Sequence, residues 1–105
     1  MNILFDGCVP RALRKFLAGH QVQTAQQLDW GELQNGDLIR AAEEKFDALV
    51  TADKNIRYQQ NVTGRKIAIL VLPTNRWPVL QTMTGRIADV VNGLKAGDFV
   101  QIELD

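Results

Sequence analysis

The sequence predicts a single α/β domain with a mostly parallel central sheet of about five strands, covered by helices on both faces as a three-layer sandwich. Short apolar runs of strand length alternate with helix-period stretches along the chain, the order that builds parallel sheets through helical crossovers. The longest such run, Ile67-Ala68-Ile69-Leu70-Val71-Leu72, is apolar throughout, as a strand buried on both faces requires. With 105 residues, 46% hydrophobic and 23% charged, the chain suits one domain over residues 1–105 with one real core.

Taken in order, Ile3-Leu4-Phe5 is a buried first strand ending at Asp6-Gly7. Pro10 favours a helix start, and Ala12, Leu13, Phe16 and Leu17 recur at helical spacing before Gly19 stops the helix. Gln21-Val22-Gln23-Thr24 alternates polar and apolar, the pattern of a half-buried strand. Gly31, Asn35 and Gly36 mark turns after a short helix that fits Ala25–Leu28. Asp37 opens the next helix, whose apolar face is Leu38, Ile39, Ala41, Ala42 and Phe46; its carboxylate suits the positive end of the helix dipole. Ala48-Leu49-Val50-Thr51 is the third strand and leads to Asp53. A polar helical stretch from Lys54 to Gln60 and a loop from Asn61 to Arg65 precede the fourth strand, which Pro73 ends. Pro78 starts a long last helix with Val79, Leu80, Met83, Ile87, Val90, Val91 and Leu94 as its stripe. Gly97-Asp98 turns the chain into a final strand from Phe99 to Leu104.

Lysine plus arginine and aspartate plus glutamate each total 12, for a formal net charge of zero. The chain as a whole is no polycation built to coat nucleic acid, so any such binding must come from local charge placement. No apolar run approaches the ~18 residues of a membrane span. The opening Met-Asn-Ile-Leu-Phe-Asp lacks the basic and long apolar regions of a secretory signal. Cys8 is the sole cysteine, which excludes an internal disulfide and points to a cytoplasmic setting.

Open parallel sheets bind ligands in the crevice beyond the carboxyl ends of their strands. Asp6 follows the first strand, Asp53 follows the third, and Asp37 begins the helix that runs back to start the third. All three can reach one edge of the sheet. Carboxylates gathered there repel one another until a proton or a cation neutralises them. A hard divalent ion such as Mg²⁺ takes oxygen ligands, uses few protein carboxylates and keeps several waters. It can activate water and stabilise in-line displacement at phosphorus. An aspartate after a strand is also a common turn residue, and one at a helix start a common cap; it is their convergence that points to a site.

The ordered motifs resemble a family. Ile3-Leu4-Phe5-Asp6-Gly7-Cys8-Val9-Pro10, Gly36-Asp37-Leu38-Ile39-Arg40-Ala41-Ala42 and Leu49-Val50-Thr51-Ala52-Asp53-Lys54-Asn55 resemble the opening, the acidic helix start and the Thr-x-Asp strand end of small stand-alone PIN-like domains. Tyr58-Gln59-Gln60-Asn61 with Gly64-Arg65 is similar to one branch of them. The resemblance implies an acidic site dependent on Mg²⁺ or Mn²⁺ and a ribonuclease activity, as in the VapC-type toxins of toxin–antitoxin pairs. Asp6, Asp37 and Asp53 match the catalytic, metal-holding acids, and Thr51 matches the hydroxyl that supports Asp53. RNA is the implied substrate, a small antitoxin protein the implied partner, and a homodimer is common among relatives. Gly7 stands where many relatives carry glutamate, and Cys8 where they carry asparagine. Gln27 or Leu28 lies where a further acid is expected, with Glu32 nearby.

Arg11 and Lys54, and with less weight Arg57 and Arg65, fall near this edge and can hold phosphates on the substrate side together with Thr51. Cys8 has no histidine partner on this reading, since His20 precedes the second strand at the opposite edge; Cys8 reads as a small packed residue. Trp30 and Trp77 read as packing residues rather than base-stacking platforms. Two other functions compete. One is a PIN-like binding module without catalysis, motivated by Gly7 and the absent extra acid. The other is a receiver-like phosphoacceptor at Asp53, for which Gly7 takes the place of a needed second acid.

Overall fold

The computed structural model describes residues 1–33, 35–56 and 65–104. Strands β1 (Asn2–Phe5), β2 (Gln21–Thr24), β3 (Ala48–Thr51), β4 (Ala68–Val71) and β5 (Phe99–Gln101) form one 5-stranded sheet in the order β2-β1-β3-β4-β5. Every pairing is parallel, with Phe5 opposite Thr24 and Val50, and Thr51 opposite Val71. All carboxyl ends therefore share one edge. The order in which strands are added reverses between β1 and β3, the switch point where a doubly wound sheet of this order opens its crevice.

Two cores lie on the two faces, as a three-layer domain requires. On one, Ile3, Phe5, Ala48, Val50 and Leu70 pack against Leu13 and Leu17 of a 3-10 helix (Arg11–Phe16) and against Leu80, Ile87 and Val91. The latter belong to α2 (Trp77–Leu80) and α3 (Thr84–Asn92), joined by a 3-10 turn at Gln81–Met83. On the other face, Leu4, Leu49, Ile69 and Val71 pack against Leu38, Ile39 and Ala42 of α1 (Asn35–Glu43). Alternate residues of one strand thus feed opposite cores, the period-2 consequence of the pleat. β1, β3 and β4 are buried along almost their whole length, which explains why each reads as an unbroken apolar run.

The helices depart from expectation in ways with local causes. The first is a 3-10 helix: Pro10 supplies no side-chain cap, and Leu13 N–H and Leu17 N–H donate to the carbonyls of Pro10 and Arg14, both at 3.2 Å. Phe16, expected on the buried stripe, is 45% exposed. The helix expected at Ala25–Leu28 closes after a single turn. Asp29 adopts φ +60°, and Trp30 N–H reaches back to the Ala25 carbonyl at 2.8 Å, a 6→1 closure that ends a helix. The last helix is not continuous. Met83 leaves helical geometry at φ −131°, ψ 24°, and the Thr82 hydroxyl donates to the Val79 carbonyl at 2.7 Å, a local bond that competes with the main-chain ladder. Of the expected Lys54–Gln60 helix, Lys54 and Asn55 form a turn and Ile56 is helical; the remainder, with Arg57 and Tyr58, lies outside the described residues. Among the described residues no helix is long and apolar enough to cross a membrane.

Order and faces together fix the relative hand of the crossovers. The β1-to-β2 connection runs outward over the face of the 3-10 helix, and the β2-to-β3 connection runs back over the face of α1. These share one hand. The β4-to-β5 connection moves opposite to β1-to-β2 yet covers the same face, so its hand is reversed, a departure from the strong right-handed rule.

Candidate active site

The carboxyl edge at the β1/β3 switch point gathers a connected polar group. Asp6 leaves β1 as its N–H donates to the Val50 carbonyl at 2.9 Å, which fixes its backbone against β3. One carboxylate oxygen, Oδ1, accepts from Gly7 N–H at 2.7 Å. The other, Oδ2, accepts from the Thr51 hydroxyl at 2.8 Å. Thr51 is fully buried, so its hydroxyl needs partners. It finds a second in Asp53 N–H, which donates to Thr51 Oγ1 at 3.1 Å. Asp53 in turn accepts from Asn55 N–H through Oδ1 at 2.9 Å, an Asx turn that holds its carboxylate. Thr51 thus ties both strand-end aspartates together from below.

Cys8 belongs to this group, contrary to its expected packing role. The turn after β1, closed by Val9 N–H on the Asp6 carbonyl at 2.9 Å, brings Cys8 over β3. Its Sγ lies 3.8 Å from Asp6 Oδ2 and 3.8 Å from Thr51 Oγ1, and accepts from Ala52 N–H at 3.4 Å. The residue is exposed as a whole. Burial of the sulfur, with a smaller contribution from the Asp6 charge, pushes the thiol pKa up from its ordinary 9.0. The spacing of two residues from Asp6 carried this signal, because a tight turn after a strand folds such a residue back over the strand end. His20 stays away as expected, between the Met1 amino group at 3.1 Å and Asn92 Oδ1 at 2.7 Å.

Asp37 sits in the first turn of α1, exposed, with its carboxylate paired to Arg40 one turn on. Among the described residues, no three His, Cys, Asp or Glu side chains are gathered closely enough to hold a metal ion as a group. Arg11 and Lys54 are exposed on the segments that leave β1 and β3. Arg65 is not at this edge: it precedes β4 and pairs with Glu43 at 2.7 Å, at the amino end of the sheet. A depression of about 530 Å³ lies at that same amino end, lined by Glu43, Asp47, Lys66 and Lys95, remote from the aspartates.

Gln26 is a neighbour the sequence did not single out. Its amide donates to the Gly7 carbonyl at 3.1 Å, and with Asp29, Gly31 and Glu32 it lines an open depression of about 490 Å³. Glu32 therefore faces this side pocket. Gln27, at the place of the expected further acid, is used structurally: Thr24 N–H donates to Gln27 Oε1 at 2.9 Å and Gln27 N–H to Thr24 Oγ1 at 3.1 Å, a reciprocal capping pair. Trp30 packs edge-on to Phe46 at 6.3 Å between centroids under the Lys45 ammonium, the packing role expected of it.

Comparison with protein-family models, with curated proteins and with solved structures gives no match to this chain. The functional reading therefore rests on the residues and their arrangement.

The donor set suits a hard cation. Asp6 Oδ1 accepts from Gly7 N–H, and Oδ2 from the Thr51 hydroxyl and, at 3.8 Å, the Cys8 thiol, while a carboxylate offers about four lone-pair sites. Asp53 is half-buried, and its Oδ1 accepts from Asn55 N–H. Oxygen ligands from one or two carboxylates are what Mg²⁺ or Mn²⁺ takes, with water filling the remaining positions. A hard ion prefers these oxygens to the soft sulfur of Cys8.

Proposed function

We propose that this chain is a divalent-metal-dependent endoribonuclease of PIN type, acting in the cytoplasm as the toxin of a toxin–antitoxin pair with a small antitoxin as its partner. One observation carries the reading: Asp6 and Asp53 are held by a common buried hydroxyl, Thr51, at the β1/β3 switch point. Asp6 and Asp53 would hold Mg²⁺ or Mn²⁺, which supplies a polarised water and neutralises charge on a phosphodiester. Asp37 would join from the start of α1 once its bond to Arg40 is exchanged for the metal. Arg11 and Lys54 would meet backbone phosphates.

The test is cleavage of an end-labelled RNA with Mn²⁺ or Mg²⁺ present and then chelated. Asp6→Asn and Asp53→Asn should each abolish turnover while leaving the fold intact. Cleavage unchanged in both variants sinks the reading.

A second reading is a PIN-like module that binds without cleaving. Asp37 favours it, since its carboxylate is already neutralised by Arg40, as does Gly7 at the position of a further carboxylate. A Mn²⁺ titration separates the two. Metal held by the native site raises the melting temperature by mass action, and the gain disappears in Asp53→Asn if this is the site.

A further inference from the structure

The zero net charge conceals a cationic patch on one face. From Gly7 to Leu28, and again from Lys54 to Ala88, the sequence contains no aspartate or glutamate. These stretches supply the 3-10 helix, α2 and most of α3, which together cover one face of the sheet with Asp89 of α3 as an exposed acid, while the part of the second stretch around Ile56 and Ile67 packs on the face of α1. Residues 29–47, which include the opposite layer α1, carry Asp29, Glu32, Asp37, Glu43, Glu44 and Asp47 against Arg40 and Lys45.

On the basic face, Arg11, Arg14, Lys15 and Arg76 are all exposed, and none pairs with a carboxylate among the described residues. Arg40 and Arg65, elsewhere, both do. Among these cations stands an aromatic pair. Phe16 is 45% exposed and its ring lies 5.9 Å from that of Trp77 at 39° between planes. Arg11 and Arg76 sit where the chain leaves the carboxyl ends of β1 and β4, so the patch begins at the edge that holds Asp6 and Asp53.

We infer that this face is the track for a single-stranded polynucleotide, with Arg11, Arg14, Lys15 and Arg76 on its phosphates and an unpaired base stacked on Phe16 against Trp77. The inference rests on the proposed nuclease reading and names the form of its substrate. Unpartnered cations beside an exposed ring are the two elements that single-strand binding combines. A base inside a duplex is already stacked and cannot use the ring. Neither element reads the 2′-hydroxyl, so RNA and DNA strands of one sequence should bind this face alike, and any choice between them falls to the edge with Asp6 and Asp53.

The experiment is fluorescence anisotropy of labelled single-stranded RNA, single-stranded DNA and duplex RNA of one sequence, in chelator, across a salt series. Native protein should bind both single strands comparably and the duplex at least tenfold more weakly. The R14E/K15E double variant should weaken single-strand binding more than tenfold. It should also flatten the plot of log affinity against log salt by about 1.4, from ~0.7 per phosphate contact. Phe16→Ala should weaken binding roughly tenfold, within the stacking range, and leave the salt slope unchanged. Lys66→Glu, a like charge change at the amino edge, should do nothing. Circular dichroism and melting establish that each variant is folded; Lys15→Gln, milder than reversal, repeats the slope test if the double variant is not.

Duplex bound as tightly as single strands overturns the inference, as does a native affinity that R14E/K15E and Phe16→Ala leave unchanged, or binding of poly-glutamate equal to that of RNA. The two proposals fail separately. Binding that follows these predictions without metal-dependent cleavage removes the nuclease reading and keeps the track. Cleavage that needs Asp6 and Asp53 but ignores Arg14, Lys15 and Phe16 removes the track and keeps the nuclease.

Discussion

Thr51→Val isolates what one hydroxyl does for the strand-end aspartates. Valine keeps the shape of threonine and suits a strand, so no cavity opens in the fully buried position. What disappears is a bond to the Asp6 carboxylate at 2.8 Å and the acceptor for Asp53 N–H at 3.1 Å. A hydrogen bond to a charged group contributes about 1.5–3 kcal/mol, and an orphaned partly buried donor costs about 1 kcal/mol more. Asp6 is half-exposed and recovers some loss from water, which brings the net to about 2 kcal/mol. With a urea m-value of about 1–2 kcal/mol/M for a domain of this size, the midpoint should fall by roughly 1–2 M with m unchanged. Thr51→Ser keeps the hydroxyl and loses only a buried methyl, for about 1 kcal/mol. Urea denaturation followed by circular dichroism, in chelator, measures both. In the same variants Mn²⁺ affinity should fall about 10–100-fold for valine, the range for lost support of a metal ligand, and change little for serine. Valine as stable as the native residue, with serine the more damaging, would show that packing and not the hydroxyl matters here.

Other perturbations test other links. Gly97 and Gly19 have φ of +84° and +89°, but a Cβ at Gly97 would meet the Arg65 carbonyl at 3.0 Å while one at Gly19 meets nothing within 4 Å; alanine at Gly19 should therefore cost about 1–2 kcal/mol by left-handed strain alone, and alanine at Gly97 measurably more on the same thermal scan. Cys8 has its thiol pKa raised by burial and then by Asp6, so its contribution to stability is fully present below the unfolded-state pKa and is lost as pH rises through the folded one; native protein should lose stability at alkaline pH relative to Cys8→Ser, and Asp6→Asn should lower the pH midpoint of the thiolate absorbance in chelator. Gly7→Glu adds an acid beside Asp6, where a Cβ meets only the end of the Gln26 side chain at 3.2 Å; it should raise the melting-temperature gain produced by Mn²⁺, and no change would mean that the side chain does not reach the ion.

Much of the fold is legible because strands buried on both faces must be apolar runs. β1, β3 and β4 show this directly, and their carboxyl ends place Asp6, Thr51 and Asp53 without further information. The helices were less legible because side-chain periodicity does not report backbone bonds. Ala12, Leu13, Phe16 and Leu17 have α spacing, yet the uncapped start after Pro10 yields a 3-10 helix and turns Phe16 outward. Val79 through Leu94 has one stripe, yet the Thr82–Val79 bond and the Met83 backbone divide it. At the site, residue type alone makes Cys8 a packing residue, and it is the turn after β1 that folds it over Thr51. Gln26 was missed because a lone exposed amide carries no spacing signal; only its bond to the Gly7 carbonyl brings it in. Arg65 was misplaced because a loop residue before a strand belongs to the amino edge, where Glu43 ends α1 and pairs with it.

The reversed hand of the last crossover ties fold to electrostatics. Had β4 returned to β5 with the same hand as the earlier described connections, α2 and α3 would cover the face of α1, by the geometry that governs parallel crossovers. Arg76 would then lie near the acids of residues 29–47, and the cations of the 3-10 helix would stand alone on the other face. Trp77 would be lost to Phe16. Instead α2 and α3 both lie in contact with the 3-10 helix. In a chain with 12 basic and 12 acidic residues, opposite charges interleaved at random would screen one another within a Debye length of about 8 Å. Grouping Arg76 with the cations of the 3-10 helix lets a neutral protein present a local positive surface to a polyanion. Connectivity therefore does here what net charge does in an overtly basic nucleic-acid binder, and it leaves no trace in composition.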